Sequence, residues 1–253
     1  MEVVKMINDE TKRKLRELHL DEMIQAFEEQ DKYHSHYASL SFDDRLNAAV
    51  DYLYCTKNSV KTQKLIRSAK FRIPDADVNT LYYADRGLDR ETIIELSIGT
   101  YFRNCCNILI NGFTGSGKTH LGCALGKEAC RHLYRTKYIR TPELLETLNL
   151  AEQQGKGISR LVTKISNYQL LILDEWLIDI PSEREQRYLL EIVEKRHDKW
   201  PTIFCSQYKT SEWHPRLGGG PVAEAIIDRI IHKSIKINTG TLNMREYTSK
   251  NIV

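Results

Sequence analysis

The sequence predicts an α/β protein: a parallel sheet with helices on both faces, preceded by a small all-α region. Three observations lead there. A phosphate-binding pattern, Gly112-Phe113-Thr114-Gly115-Ser116-Gly117-Lys118-Thr119, stands between a short apolar run and a helical stretch. Further on, the apolar run Leu170-Leu171-Ile172-Leu173 ends in two acids, Asp174 and Glu175. Residues 1–95, by contrast, show helical periodicity throughout. Strands alternating with helices, with the phosphate loop after the first strand, imply a parallel sheet covered on both faces. The expected division is a helical domain over 1–95 and a nucleotide-binding domain over 96–253.

Composition bounds the rest. A chain of 253 residues holds one large domain or two smaller ones. With 28% charged and 41% hydrophobic residues it reads as an ordinary globular protein, and a net charge of +3 does not by itself argue for nucleic acid. None of the six cysteines forms C-x-x-C or a Cys/His set with zinc spacing, so a reduced, cytoplasmic protein without structural metal is expected. The charged N-terminus lacks the apolar core of a signal peptide, and no apolar run approaches the roughly 20 residues of a membrane span.

Residues 11–30 carry Leu15, Leu18, Met23, Ile24 and Phe27 at helical spacing. Ser41 with Asp43 and Asp44 reads as a helix start, and Leu46, Ala49, Val50 and Leu53 as its buried face. Residues 57–72 then hold six cations and no acid. Lys57, Lys61, Lys64 and Arg67 are either a surface for DNA phosphates or a solvated helix face. Residues 74–80 read as a loop. Residues 86–90 either line the adenine side of the pocket or link the two halves.

Asn107 to Ile110 form the first strand, and the helix after the phosphate loop points its N-terminal dipole at bound phosphate. Tyr138-Ile139 is a second strand, and Pro142 suits the first turn of the next helix. A polar break at 153–157 precedes a helix over 158–167. There Lys156, Arg160 and Lys164, spaced by four, make either a second DNA-contacting ridge or a soluble face. Residues 185–197 form an amphipathic helix, Thr202 to Cys205 a buried strand, residues 223–232 a helix, and residues 234–237 a last strand.

The chemistry sits on the loop and the strand ends. Glycines let backbone N–H groups approach a triphosphate. Lys118 supplies charge to the β- and γ-phosphates, Thr119 a hydroxyl to Mg²⁺, and His120 opens the following helix. Asp174 is expected to hold Mg²⁺ through water, and Glu175 to polarise the water that attacks ATP. A polar residue after the next strand, Gln207 in preference to Ser206, is placed to touch the γ-phosphate or that water.

The Walker pair, the polar residue after the following strand and an arginine near the domain end together resemble the P-loop AAA+ class. In that class Arg229 is the finger inserted into a neighbouring subunit's ATP site, unless it is a structural ion pair. Arg245 contacts the γ-phosphate from within its own subunit. The likeness narrows over Ser68-Ala69-Lys70-Phe71-Arg72, Arg86-Gly87-Leu88-Asp89-Arg90, the phosphate loop, Asp174-Glu175-Trp176, Ser206-Gln207 with Trp213-His214, and Ala225 through His232. With these segments the chain resembles the IstB transposition helper ATPases, which are similar in turn to the DnaC helicase loaders. The family commonly has a second Asp where Glu175 stands, and its Gly-Glu-Ser-Met-Arg is altered here to Gly240-Thr241-Leu242-Asn243-Met244-Arg245. The resemblance implies a homo-oligomer, ring or spiral, that assembles with ATP on double-stranded DNA, deforms it, and recruits a cognate transposase. A DnaC-type helicase loader is the alternative. A small-molecule kinase is the third possibility and predicts an arginine-rich lid, which the sequence lacks.

Overall fold

A computed structural model describes residues 6–155 and 157–250. It divides into two compact units, one ending at Gln63 and the other beginning at Lys64.

In the first unit the predicted helix over 11–30 is two, α1 (Asp9–Glu17) and α2 (Asp21–Lys32), because His19 takes a left-handed backbone (φ 56) between them. Asn8 caps α1 by accepting the Thr11 N–H. A short α3 (His34–Tyr37) precedes α4 (Phe42–Ala69). Ser41 caps α4 as expected, its Oγ accepting the Asp44 N–H at 3.2 Å. Ile24, Ala26 and Ala49 are buried in this unit, and buried Gln30 donates Nε2 to the Arg45 carbonyl at 2.8 Å.

The division falls inside α4 rather than near residue 95. The physical reason is packing: Ala69, Phe71, Ala76, Val78, Leu81, Leu88 and Ile93 join the same core cluster as the strands. These residues include the single turns Val78–Thr80 and α5 (Tyr83–Arg86), then α6 (Arg90–Ile98).

The sheet has five strands, β1 (Asn107–Asn111), β2 (Thr136–Arg140), β3 (Leu170–Asp174), β4 (Thr202–Ser206) and β5 (Ser234–Asn238), in the order β2-β3-β4-β1-β5. Every pairing is parallel. The connecting helices are α7 (Lys118–Arg131), α8 (Thr141–Gln153), α9 (Ile158–Ser166), α10 (Glu183–Arg196), α11 (Trp213–Arg216) and α12 (Gly220–Ile231), and α13 (Met244–Lys250) closes the described chain.

Alternating side chains sort the core into two layers. Ile108, Ile110, Ile172, Ile203 and Cys205 face α6 and α7. Leu109, Leu171, Leu173 and Phe204 face α8, α9, α10 and α12, where Trp176 and Trp213 meet edge to face. β3 and β4 are buried at all five positions, as central parallel strands must be.

The cysteines are all free, and burial pushes the Cys123 and Cys130 thiols up to about 11, so both stay protonated. Among the described residues no helix is long and apolar enough to cross a membrane.

Candidate active site

β1, an interior strand between β4 and β5, delivers the chain into the phosphate loop at the carboxyl ends of the strands, where open α/β sheets bind ligands. Gly115 (φ 89) and Gly117 (φ 86) hold left-handed conformations that a side chain resists. A Cβ on Gly117 would stand 2.9 Å from Arg86 Nη2, and one on Gly112 2.0 Å from Thr239 Oγ1. Two residues outside the motif therefore brace the loop. Arg86, 3% exposed, donates Nη2 to the Ser116 carbonyl at 2.7 Å, and Thr239 Oγ1 lies 2.6 Å from Ser116 Oγ. Lys118 Nζ donates to the carbonyls of Gly112 (2.6 Å) and Phe113 (2.8 Å), and burial lowers its ammonium below the ordinary lysine value.

The acid end is built by β3. Asp174, buried, accepts at Oδ2 from Thr119 Oγ1 (2.8 Å) and from the Tyr138 hydroxyl (2.6 Å), and at Oδ1 from the Glu175 N–H (2.9 Å). A hydroxyl and a carboxylate oxygen side by side suit a hard cation. Among the described residues no cluster of three or more His, Cys, Asp or Glu could hold a metal. That donor set fits Mg²⁺, which needs few protein ligands because phosphates and water complete its shell.

Glu175 follows with φ 55, a conformation costing a non-glycine residue about 1–3 kcal/mol. Its carboxylate is held on both oxygens. Arg72 Nη1 donates to Oε1 at 2.9 Å, and Arg140 donates Nε (2.9 Å) and Nη2 (2.6 Å) to Oε2. Partial burial works against the charge, but the bonds from Arg140 and Arg72 outweigh it and keep the carboxyl below the usual glutamate value. Arg140 reaches Glu175 because β2 pairs with β3 in a register that sets Arg140 beside Asp174. The arginine side chains are 47% and 37% exposed, so screening leaves each pair at about 1 kcal/mol or less.

β4 supplies Gln207, whose Oε1 accepts from Thr114 Oγ1 at 3.0 Å. Ser206 is structural: buried, it donates Oγ to the Trp176 carbonyl at 2.9 Å.

Two clefts flank the loop. One, of about 200 Å³, gathers Thr114, Lys118, Thr119, Asp174, Glu175, Gln207 and Arg245. The other, of about 290 Å³, is walled by Ile73, Leu81, Tyr82 and Met244 beside Arg86 and His120, a setting suited to a flat heterocycle. Burial, then the Arg86 charge, lowers the His120 imidazole below its ordinary value, favouring the neutral ring. Arg245 lines both clefts, so α13 brings it to the loop although its surrounding motif is altered. Phe113 is exposed, and its part in the site is its carbonyl.

Arg229 is not brought to these clefts. It donates Nη2 to Glu194 at 2.8 Å and Nη1 to the Ala225 carbonyl at 3.0 Å. It borders a small cavity with Asn107 and Thr202, the first residues of β1 and β4, at the opposite end of the strands from the loop. Lys57, Lys61, Lys64 and Arg67 are exposed along α4, with Lys57 Nζ donating to the His19 carbonyl at 2.8 Å. Arg160 and Lys164 are exposed on α9, and Lys156 lies outside the described residues.

Sequence reasoning missed Arg72, Arg140 and Tyr138 as partners of the acid pair, and Arg86 and Thr239 as braces. Arg86 was legible only as part of an undecided segment. Arg140 had a weak signal, as the last residue of a strand that could pair with β3.

Known proteins resemble this chain in sequence and in fold. The family model described as IstB-like ATP binding protein matches residues 13–251. An insertion sequence ATP-binding protein of Sinorhizobium fredii, y4pL, is 37% identical over 180 residues, covering 71% of this chain and 73% of that one. The ATP-binding protein of insertion sequence IS1162 from Pseudomonas fluorescens is 35% identical over 207 residues, covering 81% and 89%. The solved DnaC helicase loader is similar in fold, with a TM-score of 0.56 at 18% identity, over 65% of this chain and 96% of that one.

Proposed function

The chain belongs to the IstB-like ATP binding protein family, and from that premise we propose that this AAA+ ATPase is the helper of an insertion sequence. In this reading it assembles with ATP on target duplex DNA, deforms the duplex, and recruits and stimulates its partner transposase. The observation that carries the reading is the cleft in which Lys118, Thr119, Asp174, Glu175, Gln207 and Arg245 converge while Arg229 is held at the far end of the strands. A site furnished with every expected group except the finger invites a second subunit to supply it. The relatives, insertion sequence ATP-binding proteins matched over most of the chain, support the biological setting.

The residues divide the work. Loop N–H groups and Lys118 hold the triphosphate, and Lys118 leaves the carbonyls of Gly112 and Phe113 to do so. Thr119 and Asp174 would hold Mg²⁺, which would supply charge neutralisation to the bound phosphates. Glu175 orients and polarises the attacking water, and Gln207 and Arg245 face the γ-phosphate. The cleft beside His120 takes the base. Phosphate contacts from Lys57, Lys61, Lys64, Arg67, Arg160 and Lys164 give duplex affinity with little sequence preference.

The test is particle imaging and gel-shift with ATP present. Multi-subunit assemblies enclosing duplex, and preference for duplex over single strands, are the expected results. A monomer under saturating ATP and duplex overturns the proposal. A preference for single strands would favour the helicase-loader alternative, which otherwise rests on fold likeness alone.

A further inference from the structure

Two arginines are buried to the same degree, each 3% exposed, yet they are bonded differently. Arg196 donates Nε to Thr202 and its Nη atoms to the carbonyls of Ser166, Tyr168 and Pro201, so every nitrogen of its guanidinium has an acceptor. Arg86 donates Nη2 to the Ser116 carbonyl at 2.7 Å, and its Nε is buried without a partner. Burial lowers the Arg86 guanidinium below the ordinary arginine value, and no carboxylate among the described residues raises it again. A buried charge is costly unless an opposite charge pairs with it. Arg86 is an ion pair with one member missing.

Packing fixes where that cation stands. A Cβ on Gly240 would overlap the Arg86 carbonyl, so the turn after β5 seats directly on the Arg86 main chain. The side chain then runs against Gly117, where the lack of a Cβ leaves room for the guanidinium. Arg86 lines the larger cleft with Gly117, Lys118, Thr119 and His120, the junction of the phosphate loop with α7. Its charge is felt there, as the second cause after burial that lowers the His120 imidazole. The bond to Ser116 also sets a direction. In this trans peptide the carbonyl and the N–H point opposite ways. With the Ser116 carbonyl turned to Arg86, the Gly117 N–H on the same peptide points away from the cation. Gly117 is the N-cap of α7, so its N–H lies ahead of the helix's own bonds, where anions bind.

We infer that Arg86 is a positioning residue for the nucleotide: the β-phosphate supplies the negative charge that the buried guanidinium lacks, and Arg86 reaches it through the Ser116–Gly117 peptide, whose N–H it aims at the phosphate. The inference rests on ATP occupying the phosphate loop and is independent of duplex and transposase. A cation on the carbonyl polarises the peptide and makes its N–H a stronger donor. The folded chain already bears the cost of burying the charge, so phosphate meets a preorganised site.

Arg86→Gln and Arg86→Lys test this by calorimetry and thermal unfolding. Gln keeps a donor for Ser116 and removes the charge, whereas Lys keeps both. The Gln variant should bind ATP and ADP each about tenfold more weakly, since both carry a β-phosphate. Its ratio of ATP to GTP affinity should be unchanged. The Lys variant should stay within about threefold of wild type. Without nucleotide the Gln variant should unfold no lower than wild type, because an unpaired buried charge has gone. Its rise in melting temperature on saturation with ATP should shrink. Wild-type affinity in the Gln variant overturns the inference, and so does a folded Lys variant that loses as much as Gln. A loss confined to ATP would place Arg86 at the γ-phosphate, and a changed ATP-to-GTP ratio would place it on the base; either overturns the role. A Gln variant that unfolds lower but keeps the full ATP-induced rise makes Arg86 a structural brace only. If Gln does not fold, the Lys variant decides alone, with tenfold weaker binding as the contrary result. Failure of the wild-type chain to bind ATP removes the nucleotide site itself, whatever the variants do.

Discussion

Glu175 is held by Arg72 and Arg140 in a backbone conformation that disfavours any side chain. Such strain persists only where surrounding contacts impose it, and here the Asp174 carboxylate does so by accepting the Glu175 N–H. Removing the charge while keeping the shape separates binding from turnover. Glu175→Gln should retain ATP and lower phosphate release by about 10²–10⁴-fold, read by calorimetry beside a phosphate-release assay. Normal release would take Glu175 out of the chemistry. Lys118 has the opposite signature. Its ammonium is half-buried and donates to two loop carbonyls, neutral acceptors that a phosphate oxygen can replace. Lys118→Ala should lose measurable ATP binding in the same calorimeter, and an unchanged affinity would count against the site.

The phosphate loop works as an element because other elements press on it. Arg86 reaches its underside from α5, and Thr239, just past β5, meets Ser116 from the other side. Gly117→Ala should therefore fail twice. The φ of 86 is strained for alanine, and the new methyl meets the Arg86 guanidinium at 2.9 Å. The expected result is about tenfold or greater loss of nucleotide affinity, equivalent to about 1.4 kcal/mol. A deep fall in melting temperature with intact affinity would contradict this account. A different buried cation, Arg196 at the end of α10, shows what a structural arginine looks like here. It donates to the carbonyls of Ser166, Tyr168 and Pro201 and to Thr202 Oγ1, tying α9, α10 and β4 together without facing any cleft at the loop.

At the scale of the molecule, the question is what completes the site. Arg229 stands at the amino ends of the strands and the phosphate loop at their carboxyl ends. The ion pair with Glu194, partly exposed, is weak enough to be given up to a stronger anion. Arg229→Ala should lower ATPase activity by about 10³–10⁵-fold, and so should Lys118→Ala. Mixing the two should restore part of it, since one kind of interface then joins an intact loop to an intact arginine. If no mixture regains activity while each variant folds, the shared site is wrong.

The sequence by itself determined the phosphate loop, the acid pair at the end of β3, the five strands and the helices between them. Each of these is written in contiguous residues: a motif of fixed spacing, an apolar run, a periodicity of two or 3.6. Tertiary structure decided the strand order, the break between units at Gln63 rather than near residue 95, and the partners of Glu175. Arg72 and Glu175 are 103 positions apart, and Arg140 meets Glu175 only because β2 lies beside β3. Parallel strands joined by crossover helices can be ordered in several ways with the same local pattern, so pairings across the sheet are set by how the layers pack and are not legible in the order of residues.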